Sequence, residues 1–263
     1  MNTKTIAAFV FSTLLVGFTH ADDASMANTE RGVTPHGYVY HQSFMPRETL
    51  ELNLKKTALL VIDPQNDFMS EQSPIWALVG PHVKGQNLVE HISQLISAAE
   101  KNEMFVFYSP HMYTQNDRKD WRSLNGIDKI MFGNNMFVEG TKGHEYLPAL
   151  APSKSAILLS PHKGLSNFWS GDIAIQMRQR GVETVIIAGM AANMCVDAHV
   201  RDAIENGFDL IVAADAVAAA GDLAMQAAFT NYEFLAHEVL TTDQILKRLH
   251  NAKAMQRHQD KAM

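Results

Sequence analysis

A single cysteine, Cys195, is all the thiol chemistry in 263 residues. No internal disulfide can form, and without a second thiol or any Cys-x-x-Cys the usual dithiol redox mechanism is excluded. Positive charge is scarce too. Lys and Arg number 22 against 28 Asp and Glu, a net charge of −6, and the lack of a basic stripe argues against a nucleic-acid partner. The apolar run from Ile6 to Phe18 is shorter than the roughly 20 residues a membrane helix needs, and no later segment supplies a span. Internal repeats and low-complexity blocks are also missing. The histidines, 12 in all, include His111, His144, His162, His199 and His237, and none stands at metal-ligand spacing. His162 can reach the same site as its neighbour Lys163.

What is present begins with a leader pattern. Met1-Asn2-Thr3-Lys4-Thr5 is a short basic start, Ile6 to Phe18 is mostly apolar, and Thr19-His20-Ala21 ends in a small residue. This predicts a cleaved signal peptide over 1–21, cut after Ala21, and a periplasmic or secreted product free of the membrane. Residues 22–52 read as an N-terminal arm, polar and without a clear period. Residues 53–263 are of a size for one large α/β domain.

From Thr57 the chain alternates short apolar runs with helical patterns. Strands are predicted at 58–62, 104–108, 156–159, 184–188, 210–214 and 238–240. Helices are predicted over 88–99, 172–180, 224–235 and 243–249, with one more opened by Cys195. Residues 110–153 break the pattern and read as a long connection that shapes a pocket. Apolar strands separated by helices imply a parallel sheet covered on both faces, a three-layer α/β/α architecture.

In such a sheet the reactive groups belong just beyond the carboxyl ends of the strands. Asp63, Lys163 and Cys195 each follow one. Asp63 can take the thiol proton, Lys163 can stabilise the charge, and Cys195 can attack a carbonyl carbon. Cys195 at a helix N-terminus would favour thiolate. Each residue alone has an ordinary explanation: a turn aspartate, a solvated lysine, a small buried cysteine. Their coincidence favours a site.

The strings that carry this trio are 61–68 (VIDPQNDF), 139–143 (EGTKG), His162-Lys163, 188–196 (AGMAANMCV), Arg201-Asp202-Ala203 and Ala214-Asp215-Ala216. In this order and spacing the chain, from about Thr57 to Leu249, resembles the isochorismatase-like cysteine hydrolases, which include nicotinamidases, N-carbamoylsarcosine amidase and ureidoacrylate hydrolases. The resemblance implies a six-stranded, mostly parallel sheet with Rossmann-like architecture and a triad of Asp63, Lys163 and Cys195. It also implies a cis peptide between Met190 and Ala191, with the N–H groups of Ala191 and Cys195 holding an oxyanion. The implied activity is hydrolysis of a small amide, ureide or carbamoyl C–N bond through a thioester. A homo-oligomer, dimer or tetramer, is also implied.

Departures matter as well. Nicotinamidases carry an aspartate and several histidines after the second strand; Tyr108-Ser109-Pro110-His111 offers one histidine there, so neither a metal nor another cofactor is expected. A vinyl-ether hydrolase of the isochorismatase type and a non-catalytic small-molecule binder are the alternatives; retention of Cys195 favours C–N hydrolysis. Phe68, Trp169 and Trp121, with Phe168 in addition, are candidate walls for a planar small-molecule substrate. The charged run 117–122 around Trp121 either meets an acidic substrate or is simply solvated.

Overall fold

The computed structural model describes residues 31–33, 39–41 and 49–262. The expected leader and most of the expected arm lie outside them. Arg31–Val33 (β1) and Val39–His41 (β2) pair antiparallel. Six further strands follow: Thr57–Ile62 (β3), Phe105–Ser109 (β4), Ile157–Leu158 (β5), Thr184–Met190 (β6), Asp209–Ala218 (β7) and Glu238–Leu240 (β8). They form one sheet in the order β5-β4-β3-β6-β7-β8, and every pairing is parallel.

The helices in chain order are α1 (Asn66–Met69), α2 (Trp76–Gly85), α3 (Leu88–Lys101), α4 (Gln115–Asp120) and α5 (Gly126–Gly133). After them come α6 (Asn167–Ser170), α7 (Ile173–Gln179), α8 (Asp197–Glu205), α9 (Asp222–Leu235) and α10 (Thr242–Ala262). Two cores lie on the two faces of the sheet. Leu59 and Val61 of β3 join Leu88, Ile92 and Leu95 of α3 and Ile245 and Leu249 of α10. Ala58, Leu60 and Ile62 join Ile173 of α7, Val200 of α8 and Phe229 of α9. This is the alternation of a strand buried on both sides, and each large aliphatic so enclosed contributes about 1.5–3 kcal/mol.

The predicted strands are all present within a few residues. Helix α2 escapes the pattern because Gly80 and Pro81 sit inside it, residues that normally mark a break. The final helix runs on to Ala262, beyond the predicted 249. The long connection holds α4 and α5, each opened by a capping box: Thr114 with Asp117, and Asn125 with Asp128.

Candidate active site

The strand order reverses at β3. Strands β4 and β5 continue to one side and β6, β7 and β8 to the other, which opens a crevice at the carboxyl ends between them. Into it the chain delivers one side chain beyond each of four neighbouring strands: His162 after β5, His111 after β4, Asp63 after β3 and Cys195 after β6. His111 and His162 form a parallel bridge that prolongs the β4–β5 pairing.

Asp63 is fully buried and sits at φ +49°, a left-handed conformation that aspartate tolerates better than most residues. Gly189, at φ +127°, lets β6 close against β3: a Cβ there would meet the Ile62 carbonyl oxygen at 2.1 Å. The Met190–Ala191 peptide is cis. Cys195 does not open an α-helix. It is the fourth residue of a π-helical turn, Ala192–Val196, and α8 begins at Asp197. The turn is fastened by Val196 N–H to Ala191 O, 3.1 Å, and by the Tyr232 hydroxyl, which donates to Ala192 O.

Cys195 is 2 % exposed. Burial, then the Asp63 carboxylate beside it, push Cys195 well above its ordinary value, while backbone hydrogen bonds from Ala191 and Cys195 pull the other way. The resting group is a neutral thiol, contrary to the thiolate expected from a helix N-terminus. It therefore needs a proton acceptor. Asp63 Oδ2 has no hydrogen-bond partner in the protein, and a carboxylate oxygen of Asp63, the Cys195 sulfur and a ring nitrogen of His111 lie within 4.8 Å of one another.

Asp63 Oδ1 is held by His162, whose Nε2 is 2.8 Å away, both side chains being fully buried. His162 Nδ1 lies 2.7 Å from Gly164 O. The neighbouring ring of His199 is set differently. Its Nδ1 donates to Cys195 O at 2.7 Å, and its Nε2 accepts from Asn167 N–H at 3.1 Å, with Ser109 Oγ also at 3.1 Å. One donor and one acceptor make it a neutral imidazole, and burial followed by the His162 charge lowers it to about 3. His111 has no hydrogen bond at either ring nitrogen and packs against Tyr113, Phe137 and His162. Burial lowers it well below the usual histidine range, and the His162 charge adds to that.

Lys163, the expected cation, does not meet Asp63. Its Nζ pairs with Asp117 at the N-terminal turn of α4. Against the penalty of partial burial, the Lys163 ammonium and the Thr114 donors hold the Asp117 carboxyl below its ordinary value. His162 is fully buried beside Asp63, whereas the Lys163 side chain is 37 % exposed and lines the approach to Cys195.

A cavity of about 130 Å³ reaches Cys195, with Phe68, Tyr113, Met131 and Met194 as apolar walls and Lys163, Asn125 and Asp128 as polar lining. Phe68 stacks edge-on with Phe137 at 4.8 Å. Trp121 stands behind the wall, edge-on to Tyr113 at 5.7 Å. Trp169 lies elsewhere: α6 turns it to solvent, 85 % exposed, with Nε1 on Asp202 at 3.1 Å. Phe168 packs inward against His199 and Phe208.

The polar residues after Asp63 act as fasteners that the sequence does not announce. Gln65 receives the His111 N–H and donates to the carbonyls of His111 and His144. Asn66 donates to Lys142 O at 2.8 Å, and Asp67 Oδ2 accepts from Phe137 N–H at 2.6 Å. They clamp the long connection onto the crevice, which is why three polar residues follow one another in a buried place. The capping-box spacings at 114–117 and 125–128 were the available signal that this connection is structured.

Among the described residues, Asp63, His111 and Cys195 are the one group whose donor atoms converge closely enough for a metal ion. An ion there would take the Cys195 thiol as a ligand, and none of the three is assigned as a ligand.

Comparison with known proteins adds to this geometry. The isochorismatase domain model matches residues 57–244. A ureidoacrylate amidohydrolase of Stutzerimonas stutzeri is 27% identical over 199 residues, 71% of this chain and 79% of the relative. An isochorismatase family protein of Bacillus subtilis is 29% identical over 203 residues, 73% of this chain and 99% of that one. Among solved structures, a cysteine hydrolase from Pseudomonas syringae superposes with TM-score 0.69 at 22% identity, covering 80% of this chain and 99% of its own. N-carbamoylsarcosine amidase from Thermoplasma acidophilum does so with TM-score 0.56 at 23% identity, covering 72% and 97%. At those identities the likeness speaks for the fold.

Proposed function

The chain belongs to the isochorismatase family, and from that premise we propose that it hydrolyses the C–N bond of a small amide, ureide or carbamoyl compound, with Cys195 as nucleophile and Asp63 as proton carrier. The observation that carries the roles is the buried convergence of a neutral thiol and an under-bonded carboxylate at the end of a cavity. The Cys195 proton passes to Asp63 as sulfur bonds to the carbonyl carbon and the C=O π pair moves onto oxygen. The N–H groups of Ala191 and Cys195 are the oxyanion donors in this reading. Collapse breaks the C–N bond, and the proton on Asp63 goes to the departing nitrogen. Water, giving its proton to Asp63, then opens the thioester, and the thiol is restored.

A cavity of about 130 Å³ favours a substrate of few heavy atoms. A panel of ureides, carbamoyl amino acids and simple amides, read by ammonia or amine release and by intact mass for an acyl adduct on Cys195, tests the reading. Turnover that persists in Cys195→Ala on a genuine substrate would sink it.

We also infer export, from the basic start, apolar core and Ala21 of the leader pattern; an amino terminus at Asp22 in an osmotic-shock fraction is the expected result. We infer a homo-oligomer as well; light scattering should give the mass of two or four chains.

A further inference from the structure

The resemblance gives the cation beside the catalytic carboxylate to a lysine, yet the side chain that meets Asp63 here is His162. We propose that His162, held as an imidazolium, is the positively charged partner of Asp63 and takes the part that the resemblance assigns to Lys163. It acts through Asp63 and is a positioning residue. The inference deepens the reading of Asp63 and Cys195 above and rests on it.

The argument is one of hydrogen-bond inventory. His162 Nδ1 is 2.7 Å from Gly164 O, and a carbonyl oxygen can only accept, so Nδ1 carries a hydrogen. Nε2 is 2.8 Å from Asp63 Oδ1, and an ionised carboxylate can only accept as well. Whenever Asp63 is a carboxylate, both ring nitrogens are protonated and the ring is a cation. His199, 5.3 Å away ring to ring, is the internal contrast: it faces a donor at Nε2 and stays neutral.

The groups around His162 agree. Asp63 faces it from the end of β3, and the neutral rings of His111 and His199 lie 4.7 and 5.3 Å from it. Cys195 lies beyond Asp63, and the Lys163–Asp117 pair sits at the rim. Burial alone would drive His162 down; the Asp63 carboxylate, then the carbonyls of Gly164 and Ser109, outweigh it and hold His162 above its ordinary value. When Asp63 takes the thiol proton its negative charge is quenched, and the imidazolium is left facing the charge that develops on sulfur and oxygen. No proton leaves His162 in the cycle.

A histidine differs from a lysine in what happens as pH rises. Once His162 loses its proton, the Nε2 lone pair faces the carboxylate and the pair no longer supports proton transfer. The alkaline limb of kcat/KM therefore follows the loss of the His162 proton, above the ordinary histidine value of about 6.5.

The test uses the full chain with 15N-labelled histidine. Ring-nitrogen NMR should show His162 doubly protonated at pH 7, the signal assigned by its absence from His162→Gln and by its shift in Asp63→Asn. A singly protonated His162 at pH 6 would overturn the proposal without any substrate or variant being needed. With a substrate in hand, His162→Lys should keep turnover and move the alkaline limb up by at least about one pH unit. His162→Gln should abolish the limb and lower kcat/KM about 10²-fold. In Lys163→Ala the limb should stay in place; a limb that moves there and not in His162→Lys would return the role to Lys163. If no C–N substrate is turned over, the hydrolase reading fails while the NMR titration still decides the charge of His162.

Discussion

Cys195 and His162 are both fully enclosed, and their surroundings push them in opposite directions: the thiol toward its neutral form, the ring toward its charged one. Replacing Cys195 by Ala should cost at least about 10⁴-fold in turnover yet only about 1 kcal/mol in stability, since one small buried atom is lost; ammonia release and a denaturant midpoint read the two. For His162 the folded value lies above the unfolded value of about 6.5. Its stabilisation is complete below about pH 6.5 and is lost as pH rises through the higher folded value. The urea midpoint of the wild type should fall over that window, and that of His162→Gln should not follow it. At this scale the sequence was legible where strands are long. Asp63 and Cys195 follow β3 and β6, whose apolar runs fix where the strand ends. His162 follows a strand of two residues and then Ser160-Pro161, so the alternation of inward and outward residues could not be counted. A slip of one position exchanges the two faces: the sequence points to Lys163, and the side chain beside Asp63 is that of His162. Trp169 was misplaced for a related reason: on the short α6, adjacent residues point apart, and Phe168 holds the inward position.

The elements around the site are tied by contacts distant in sequence. Gln65 makes three hydrogen bonds to backbone groups of His111 and His144, each worth about 0.5–1.5 kcal/mol net. Gln65→Ala should therefore cost about 2–4 kcal/mol, with faster hydrogen exchange confined to the amides near 111–113 and 144–146; a change spread evenly over the sheet would contradict the clamp. Gly189 is the other critical joint. An alanine there combines a φ of +127° with a contact on the Ile62 carbonyl, and should cost about 3 kcal/mol or more, measured as lost soluble yield or a lowered melting temperature. Strands β3, β6 and β7 and helices α3 and α9 were legible because each carries its own period. Helices α4 and α5 were not, because they are short and their first turns are stabilised by capping boxes, while the chain after them is clamped by a residue 70 positions earlier, Asp67 to Phe137.

The whole molecule places its site across strands of unequal security. Strands β3, β6 and β7 are central and almost wholly buried, whereas β5 is a two-residue edge strand with Leu158 54 % exposed. The edge should open first. Amides of 157–162 are expected to exchange well before those of 184–190, and in rising urea activity should vanish before the global transition; coincident loss would mean the edge and centre unfold together. The same strand order has a consequence in time. A ribosome delivers Asp63, His111 and His162 with β3, β4 and β5, but the slot on the other side of β3 is filled only when residues 184–190 emerge, and Cys195 comes five residues later. Cys195 is thus the last of the four to be synthesised, so a nascent or prematurely terminated chain carries Asp63, His111 and His162 without the thiol.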